Sequence, residues 1–380
     1  MASLQEIMLY FDPVGPLAVH TDERILYPFS EQAAIYRQAG KPPDIDRARV
    51  LLAAVGNPAV ADEIRKYLYG LSSVLPAGDL ADLGNFREGR TPADTRAGLT
   101  DVLAEIGKSH QVVILIGRDT HDVLTWSKAW NRLEVPYNLT VIDSMLDIMP
   151  AEQAMRSHYL NELISEPGGL LFDFCHLGYQ NYLNDPAAYD RMSDLYFEFH
   201  RLGAIREDLR EAEPVFRNSD LVTFSLNAIR QTEAPGVTFP SANGFTAEEA
   251  CQLARYAGLS DKLHLFGLAG FHPGRDRGEQ TTALSAQIIW HFLQGFQQRK
   301  SDYPYAEIHT YQKYLINITK SGINLTFYKS PVSGRWWIEV PYPDAKYPRF
   351  LYVACSPGDY EVACGGEVPD RWWNHYRRLS

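Results

Sequence analysis

The feature that most constrains the fold is a recurring pair. Short, nearly continuous apolar runs alternate with longer segments whose apolar residues fall on one helical face. RARVLLAAVG (47–56) is followed by NPAVADEIRKYLYGL, in which Val60, Ile64, Leu68 and Leu71 share a face. Asn57 and Pro58 supply an N-cap and a first-turn proline for that helix. The pattern repeats. GDLADLGNF reads as an extended piece and TPADTRAGLTDVLAEIGKSH as a helix. QVVILIG and YNLTVIDSM read as strands, each followed by a helix: HDVLTWSKAWNRL after the first, AEQAMRSHYLNELISE after the second. GLLFDFCHLG then reads as a strand and DPAAYDRMSDLYFEFHRLG as a helix opened by Asp185 and Pro186. SDLVTFSLNAI (219–229) and KLHLFGLAGF are strands around a helix capped by Thr246, and TTALSAQIIWHFLQGFQQR closes the series. Strands with apolar side chains on both faces, joined through helices, imply a parallel sheet covered on both sides.

The texture changes at both ends. Residues 1–45 are rich in Pro and Asp without a clear period and read as a lead-in wrapped on the main domain, 46–300. Residues 301–380 hold four of the seven Trp: Trp336, Trp337, Trp372 and Trp373. INLTFYKSPVSGRWWIEVPYP predicts two strands joined at Pro331–Gly334, RFLYVAC a further strand, and Ser356-Pro357 the start of a short helix ending at Gly365-Gly366. This β-rich, aromatic appendage is expected to pack on the main domain, the other reading being an exposed partner surface.

A net charge of −11 argues against a nucleic-acid binder, which needs a basic face. The chain has no run of eighteen apolar residues, so no membrane span is expected. MASLQEIMLYFDP lacks the basic and apolar regions of a secretory signal. Cys175, Cys251, Cys355 and Cys364 form no CxxC pair and read as free thiols, so the expected location is cytoplasmic.

The chemistry-bearing residues cluster where the apolar runs end. LIGRDTHDV places Arg118, Asp119, Thr120, His121 and Asp122 after one strand, and VIDSMLDIM places Asp143, Met145 and Asp147 after the next. In α/β folds the carboxyl ends of parallel strands are where ligands bind.

With these pieces in this order, residues from about 45 to 300 resemble the ureohydrolase family of arginase, agmatinase and formimidoylglutamase. NPAVADEIRKYLYGL with DLADLGNF resembles its Arg-x-x-Leu helix and DLG strand. LIGRDTHDV stands at its Gly-Gly-Asp-His turn, VIDSMLDIM at its Asp-Ala-His-x-Asp strand end, and TFSLNAIRQTEAPGVTFPSANGFTAEEA at its Ser-x-Asp-x-Asp segment and the loop after it. LFGLAGFHPGRDRGEQTTALSA resembles its Glu-x-Asn-Pro loop and final helix. The resemblance implies a three-layer α/β/α fold around an eight-stranded, mainly parallel sheet. It also implies a Mn²⁺ pair whose hydroxide attacks a guanidinium or formimino carbon, and a tendency to oligomerise.

Carried over position by position, the resemblance leaves two of six metal ligands, Asp143 and Asp147. Thr120 and Met145 stand where the family has His, Asn227 and Ile229 where it has Asp, Arg118 for a Gly, and Gly270 for the Glu that orients a guanidinium. A thioether does not suit Mn²⁺, and Ile229 offers no donor. The expectation is a pseudoenzyme: no catalytic residues, no cofactor, the Mn²⁺ pair lost, and a binding, assembly or structural role with a protein partner or another copy. Two other readings stay open, a rebuilt hydrolase of linear C–N bonds and a small-molecule sensor. At most one weak ion would sit at Asp143 and Asp147, with Asn227 and water assisting. His121 is expected at the start of the next helix, in a solvated or capping role. Arg118 is expected to pair with Asp143 or Asp147 in place of metal. His272 and Asp276 fall in a loop facing the same pocket and are read chiefly as stabilising it. Asp173, Cys175 and His176 suggest a Cys–His nucleophile only superficially, because neighbours on a strand face opposite sides.

Overall fold

The structure is a computed structural model describing residues 4–38, 40–148, 158–186, 194–304, 308–343 and 349–380. Eight strands form the main sheet: β3 Val50–Ala54, β4 Leu80–Phe86, β5 Val112–Ile116, β6 Tyr137–Ile142, β7 Leu171–Tyr179, β8 Glu198–Arg201, β9 Leu221–Ser225 and β10 Leu265–Ala269. Their spatial order is β4-β3-β5-β10-β9-β6-β7-β8, and all are parallel to their neighbours. The lead-in adds two two-residue strands at the β4 edge: β1 (Phe11–Asp12), antiparallel, and β2 (Ala34–Ile35), parallel. A ten-stranded sheet results.

Helices form where capping chemistry and apolar spacing coincide. Asn57 accepts from the Ala59 amide at the start of α1 (Pro58–Gly70). Thr91 makes a capping box with Asp94 at α2 (Pro92–Ile106). The remaining helices of the main domain are α3 (Asp122–Arg132), α4 (Tyr159–Ser165), α5 (Leu202–Glu207), α6 (Ala212–Asn218), α7 (Ala247–Gly258) and α8 (Gln280–Gln297). Thr246 and Glu249 make a second capping box at α7. Each sheet face carries its own core. Ile64, Leu253, Ile289 and Phe292 pack over one side, and Leu99, Trp126, Tyr137 and Leu160 over the other. The result is a three-layer α/β/α arrangement.

Beneath α1 lies a buried ion pair. Arg65 donates to both carboxylate oxygens of Asp82, to Asn85 and to the Gly84 carbonyl, and the Tyr69 hydroxyl also donates to Asp82. Gly84 adopts φ +86°, and a Cβ there would meet the Asp12 carbonyl oxygen at 2.2 Å, so glycine lets β1 cross at this point.

The C-terminal region forms a separate antiparallel sheet of β11 (Gln312–Ile318), β12 (Ile323–Lys329), β13 (Trp336–Pro341) and β14 (Phe350–Cys355), in that order. Helices α9 (Pro357–Cys364) and α10 (Asp370–Leu379) follow. Trp336 and Trp372 lie in a core of this region's own. Trp337 faces the main domain, where the Arg217 guanidinium of α6 lies 4.7 Å above its ring. Arg217 also donates to the backbone carbonyls of Trp336 and Cys355 at 3.0 and 2.9 Å. Asn218 exchanges two hydrogen bonds with the backbone of Ala354.

Besides strands β1, β2 and β11, which the sequence reading does not include, three details depart from it. The helix expected through LYFEFHRLG is instead strand β8 up to Arg201, because Phe197, Glu198, Phe199 and His200 alternate with period two against β7. The strand expected over 219–229 stops at Ser225, and Leu226–Ala228 turns as a 3₁₀ segment. The helix expected over AEQAMRSHYLNELISE is seen only as α4, its earlier part lying outside the described residues.

Candidate functional site

Strands β5, β10, β9 and β6 are neighbours, so the loops leaving their carboxyl ends converge. They bring Arg118–Asp122, Gly270, Asn227 and Asp143–Asp147 to one edge of the sheet. Of the sequence-predicted residues, Arg118, Asp119, His121, Asp143, Asp147 and Asn227 stand here in partnerships of their own.

Asp143 follows β6 directly and is 8% exposed. Its Oδ1 accepts from the Ser144 amide at 2.7 Å and the Met145 amide at 3.4 Å, and Ser225 at the end of β9 bonds its side chain. Burial nevertheless pushes its carboxyl up to about 6. Asp147 is held between two imidazoles. His158 Nδ1 lies 2.6 Å from Oδ1 and His121 Nε2 lies 3.3 Å from Oδ2. The Tyr159 amide donates to the same carboxylate at 3.3 Å. His121 does stand at the start of α3, but its ring turns inward to Asp147 and meets Tyr159 edge-on at 5.8 Å. His158 Nε2 and the Tyr159 hydroxyl are buried without a hydrogen-bond partner among the described residues. Burial, with the charges of Asp143 and Asp147, raises the Tyr159 phenol well above its usual range.

Arg118 does not replace metal by pairing with Asp143 or Asp147. Its stem lies over Gly56, where an added Cβ would meet the Arg118 Cγ at 2.4 Å. That packing sends the guanidinium toward Glu88 and Asp122, each 3.8 Å away. Asp122 is buried beneath it and accepts from the Arg118 amide; burial, then the charge of Asp119, lifts its carboxyl to about 6. Asp119 is exposed and caps the turn through the His121 amide, while the Thr120 carbonyl accepts from the Val123 amide.

On the β9 side, Asn227 Oδ1 accepts from the Phe239 amide at 2.8 Å and its amide nitrogen donates to Ser225. Ile229 is fully buried in the apolar core. Gly270 has φ +89°, and a Cβ there would stand 3.1 Å from Asn227 Nδ2, so the loop turns back tightly against β9. His272 is exposed, and Asp276 caps α8 through the Thr281 and Thr282 amides, a loop-stabilising role. Met145 is 37% exposed at the rim, with Tyr182 and Phe239 also exposed.

His158, Tyr159 and Ser225 were absent from the sequence reading. Ser225 ends an apolar run and carries a signal in hindsight. His158 and Tyr159 reach the site from a later helix, and no local spacing announces that. Cys175 and His176 point to opposite faces of β7, as alternation requires. His176 is fully buried, and burial lowers its imidazole to about 3.

Among proteins of known sequence and structure, the arginase-family model matches residues 56–294, more than half of the chain. The chain therefore belongs to the arginase family. Within it, the formimidoylglutamase of Staphylococcus haemolyticus is 24% identical over 251 residues, covering 63% of this chain and 79% of the relative. A Staphylococcus aureus formimidoylglutamase is 23% identical over 249 residues, with the same coverage. The same fold appears in the Mn²⁺-bound formiminoglutamase of Trypanosoma cruzi, with TM-score 0.61, 18% identity, and coverage of 67% of this chain and 95% of that one. It appears again in the formimidoylglutamase of Bacillus subtilis, with TM-score 0.61, 16% identity, and coverage of 73% and 94%. No helix among the described residues is long and apolar enough to cross a membrane.

Proposed function

We propose that this arginase-family chain has given up hydrolysis through a Mn²⁺ pair and acts by binding, with a protein partner or another copy of itself as the occupant. The observation that carries the reading is the engagement of its two remaining acids. Two dications held close together need several carboxylates, some of them bridging. Here Asp147 is bound by His158, His121 and the Tyr159 amide, and Asp143 by Ser144 and Ser225. Asn227 directs its only carbonyl oxygen at the Phe239 amide, Ile229 is core, and Thr120 and Met145 add no hard charged donor. This donor set does not fit a Mn²⁺ pair. The exposed Met145, Tyr182 and Phe239 at the rim support contact with an apolar partner surface.

A second reading rests on one observation. The pairing of Asp147 with His158 and His121, next to the buried Tyr159 hydroxyl, is an arrangement of proton-handling groups that metal-free hydrolysis of a C–N bond would need.

One experiment separates them. Purified protein is supplied with Mn²⁺ and assayed for formamide or ammonia release from formimidoylglutamate and for urea release from agmatine and arginine, beside Asp143→Ala and His158→Ala. The expected result is no turnover in any of the three. Mn²⁺-dependent turnover lost in Asp143→Ala would overturn the binding reading, and Mn²⁺-independent turnover lost in His158→Ala would establish the second.

A further inference from the structure

The opposite edge of the sheet holds a second group of donors, independent of the strand-end pocket. β7 and β8 are parallel neighbours, with Cys175 opposite Glu198 and Leu177 opposite His200. The two-residue period of the pleat therefore turns Asp173, Cys175, Glu198 and His200 to one face. The Cys175 sulfur, a Glu198 oxygen and a His200 nitrogen lie within 4.8 Å of one another. So do donor atoms of Asp173, Glu198 and His375, the last reaching in from α10. Glu198 belongs to both groups.

The spacings within the cluster suit a shared cation better than direct hydrogen bonds. His200 Nε2 is 3.4 Å from Glu198 Oε2, and His375 Nε2 is 3.3 Å from Asp173 Oδ2. A charge-assisted hydrogen bond runs at about 2.7–2.9 Å. Donors sitting about 2.0–2.3 Å from a tetrahedral zinc ion lie roughly 3.3–3.8 Å from each other. At His375 the shorter contact of Nδ1 is the Arg371 carbonyl at 2.8 Å, against 3.1 Å to Arg378, which places the ring proton on Nδ1. The Nε2 lone pair then faces the Asp173 carboxylate, acceptor against acceptor, a contact that a shared cation would satisfy. A ring N–H held by a backbone carbonyl is also how metal-binding histidines are oriented.

Space and charge agree. Asp173, Cys175 and Glu198 line an internal cavity of about 10 Å³, the room of a single ion or water. A cleft of about 560 Å³ runs past Glu198, His200 and Arg371 and gives a route in. Arg378 pairs with Asp173, and Arg371 with Asp359. Three carboxylates against two guanidiniums leave one negative charge. A thiolate adds a second, and a dication brings the cluster to neutrality. On binding, the Cys175 thiol proton would leave to solvent.

We propose that Cys175, Glu198 and His200 bind one zinc-class dication, with Asp173 and His375 completing its surroundings, pinning edge strand β8 to β7 and to the C-terminal helix. A thiolate, an imidazole and a carboxylate together select zinc over the hard ions Mn²⁺ and Mg²⁺.

The test uses the full chain, stripped with a chelator and titrated with Co²⁺ as a spectroscopic probe for zinc. The expected result is one Co²⁺ per chain with a thiolate-to-metal charge-transfer band, displaced by Zn²⁺. The band should vanish in Cys175→Ser, and affinity should fall at least about tenfold in His200→Ala. Cys364→Ser, at an exposed thiol, should change neither. No charge-transfer band in the native chain, or a band retained in Cys175→Ser, would overturn the proposal. Should Cys175→Ser fail to fold, the partly exposed His200→Ala carries the decision, and unchanged Co²⁺ affinity there would overturn it.

Discussion

Asp143→Asn offers a direct reading of whether the strand-end pocket runs without a cation. Burial lifts the Asp143 carboxyl from 3.8 to about 6. Its folded form therefore holds a proton that the unfolded chain has released, and stability falls as pH rises from about 4 to about 6, then levels off. A shift of about two units corresponds to about 3 kcal/mol above pH 6. Asparagine keeps the acceptor oxygen for the Ser144 amide and carries no charge, so it should recover much of that loss. At roughly 2 cal/mol/K per residue, a 380-residue chain has an unfolding entropy near 0.8 kcal/mol/K. Asp143→Asn should then melt about 2–4 °C above the native chain at pH 8 and level with it near pH 4. Differential scanning calorimetry of both proteins across that range, in the presence of a chelator, gives the difference directly. A pH-independent difference, or a variant less stable at pH 8, would refute the reasoning. It would mean that the carboxylate is held ionised by a positive charge, and a chelator-resistant metal would be the first to look for.

Asp82→Ala should lower stability by about 3 kcal/mol, the lower end of the range for a broken buried pair, because the fully enclosed Arg65 keeps only the partly buried Asp62 as counter-charge. Chemical denaturation measures it, and the Arg65→Met/Asp82→Leu double variant should be less damaged than either single change. Removing residues 301–380 uncovers Trp337's docking surface, strands Arg217 without its two carbonyls, and leaves Asp173 without His375 and Arg378. The truncated chain should melt lower and bind a hydrophobic dye. Unchanged melting would make the C-terminal sheet an independent module.

The sequence made the central architecture legible because its local signals agree with its global packing. Asn57 with Pro58, Thr246 with Glu249, and Ser356 with Pro357 all mark helix starts by hydrogen-bonding rules that act within four residues. The apolar runs ending in Arg118–Asp122 and Asp143–Asp147 likewise located the strand-end edge. What stayed hidden depends on contacts distant in sequence. His158 reaches Asp147 across eleven residues, and Arg118 turns away because Gly56, on another strand's exit, makes room for its stem. The β8 strand was missed because Asp185 and Pro186 look like a helix start, whereas the Phe–Glu–Phe–His alternation ahead of Arg201 is only four residues long. β11 was missed for a related reason. Gln312, Lys313 and Asn317 interrupt its apolar residues, and Leu315 is exposed, so it lacks the continuous apolar run that marks the buried strands.

Part of the joint between the two sheets is made through main-chain atoms. Arg217 binds the carbonyls of Trp336 and Cys355, and Asn218 pairs with the backbone of Ala354. These bonds read peptide groups and are indifferent to the side chains of Trp336, Ala354 and Cys355, whereas Trp337 beneath Arg217, and His375 and Arg378 at Asp173, hold through their side chains. Substitutions at the exposed positions of β11, such as Lys313, Leu315 and Asn317, can therefore accumulate without loosening the attachment, whereas β13 is covered on both faces. The region is thereby divided into a constrained mounting at β13 and β14 and a variable outermost strand, β11.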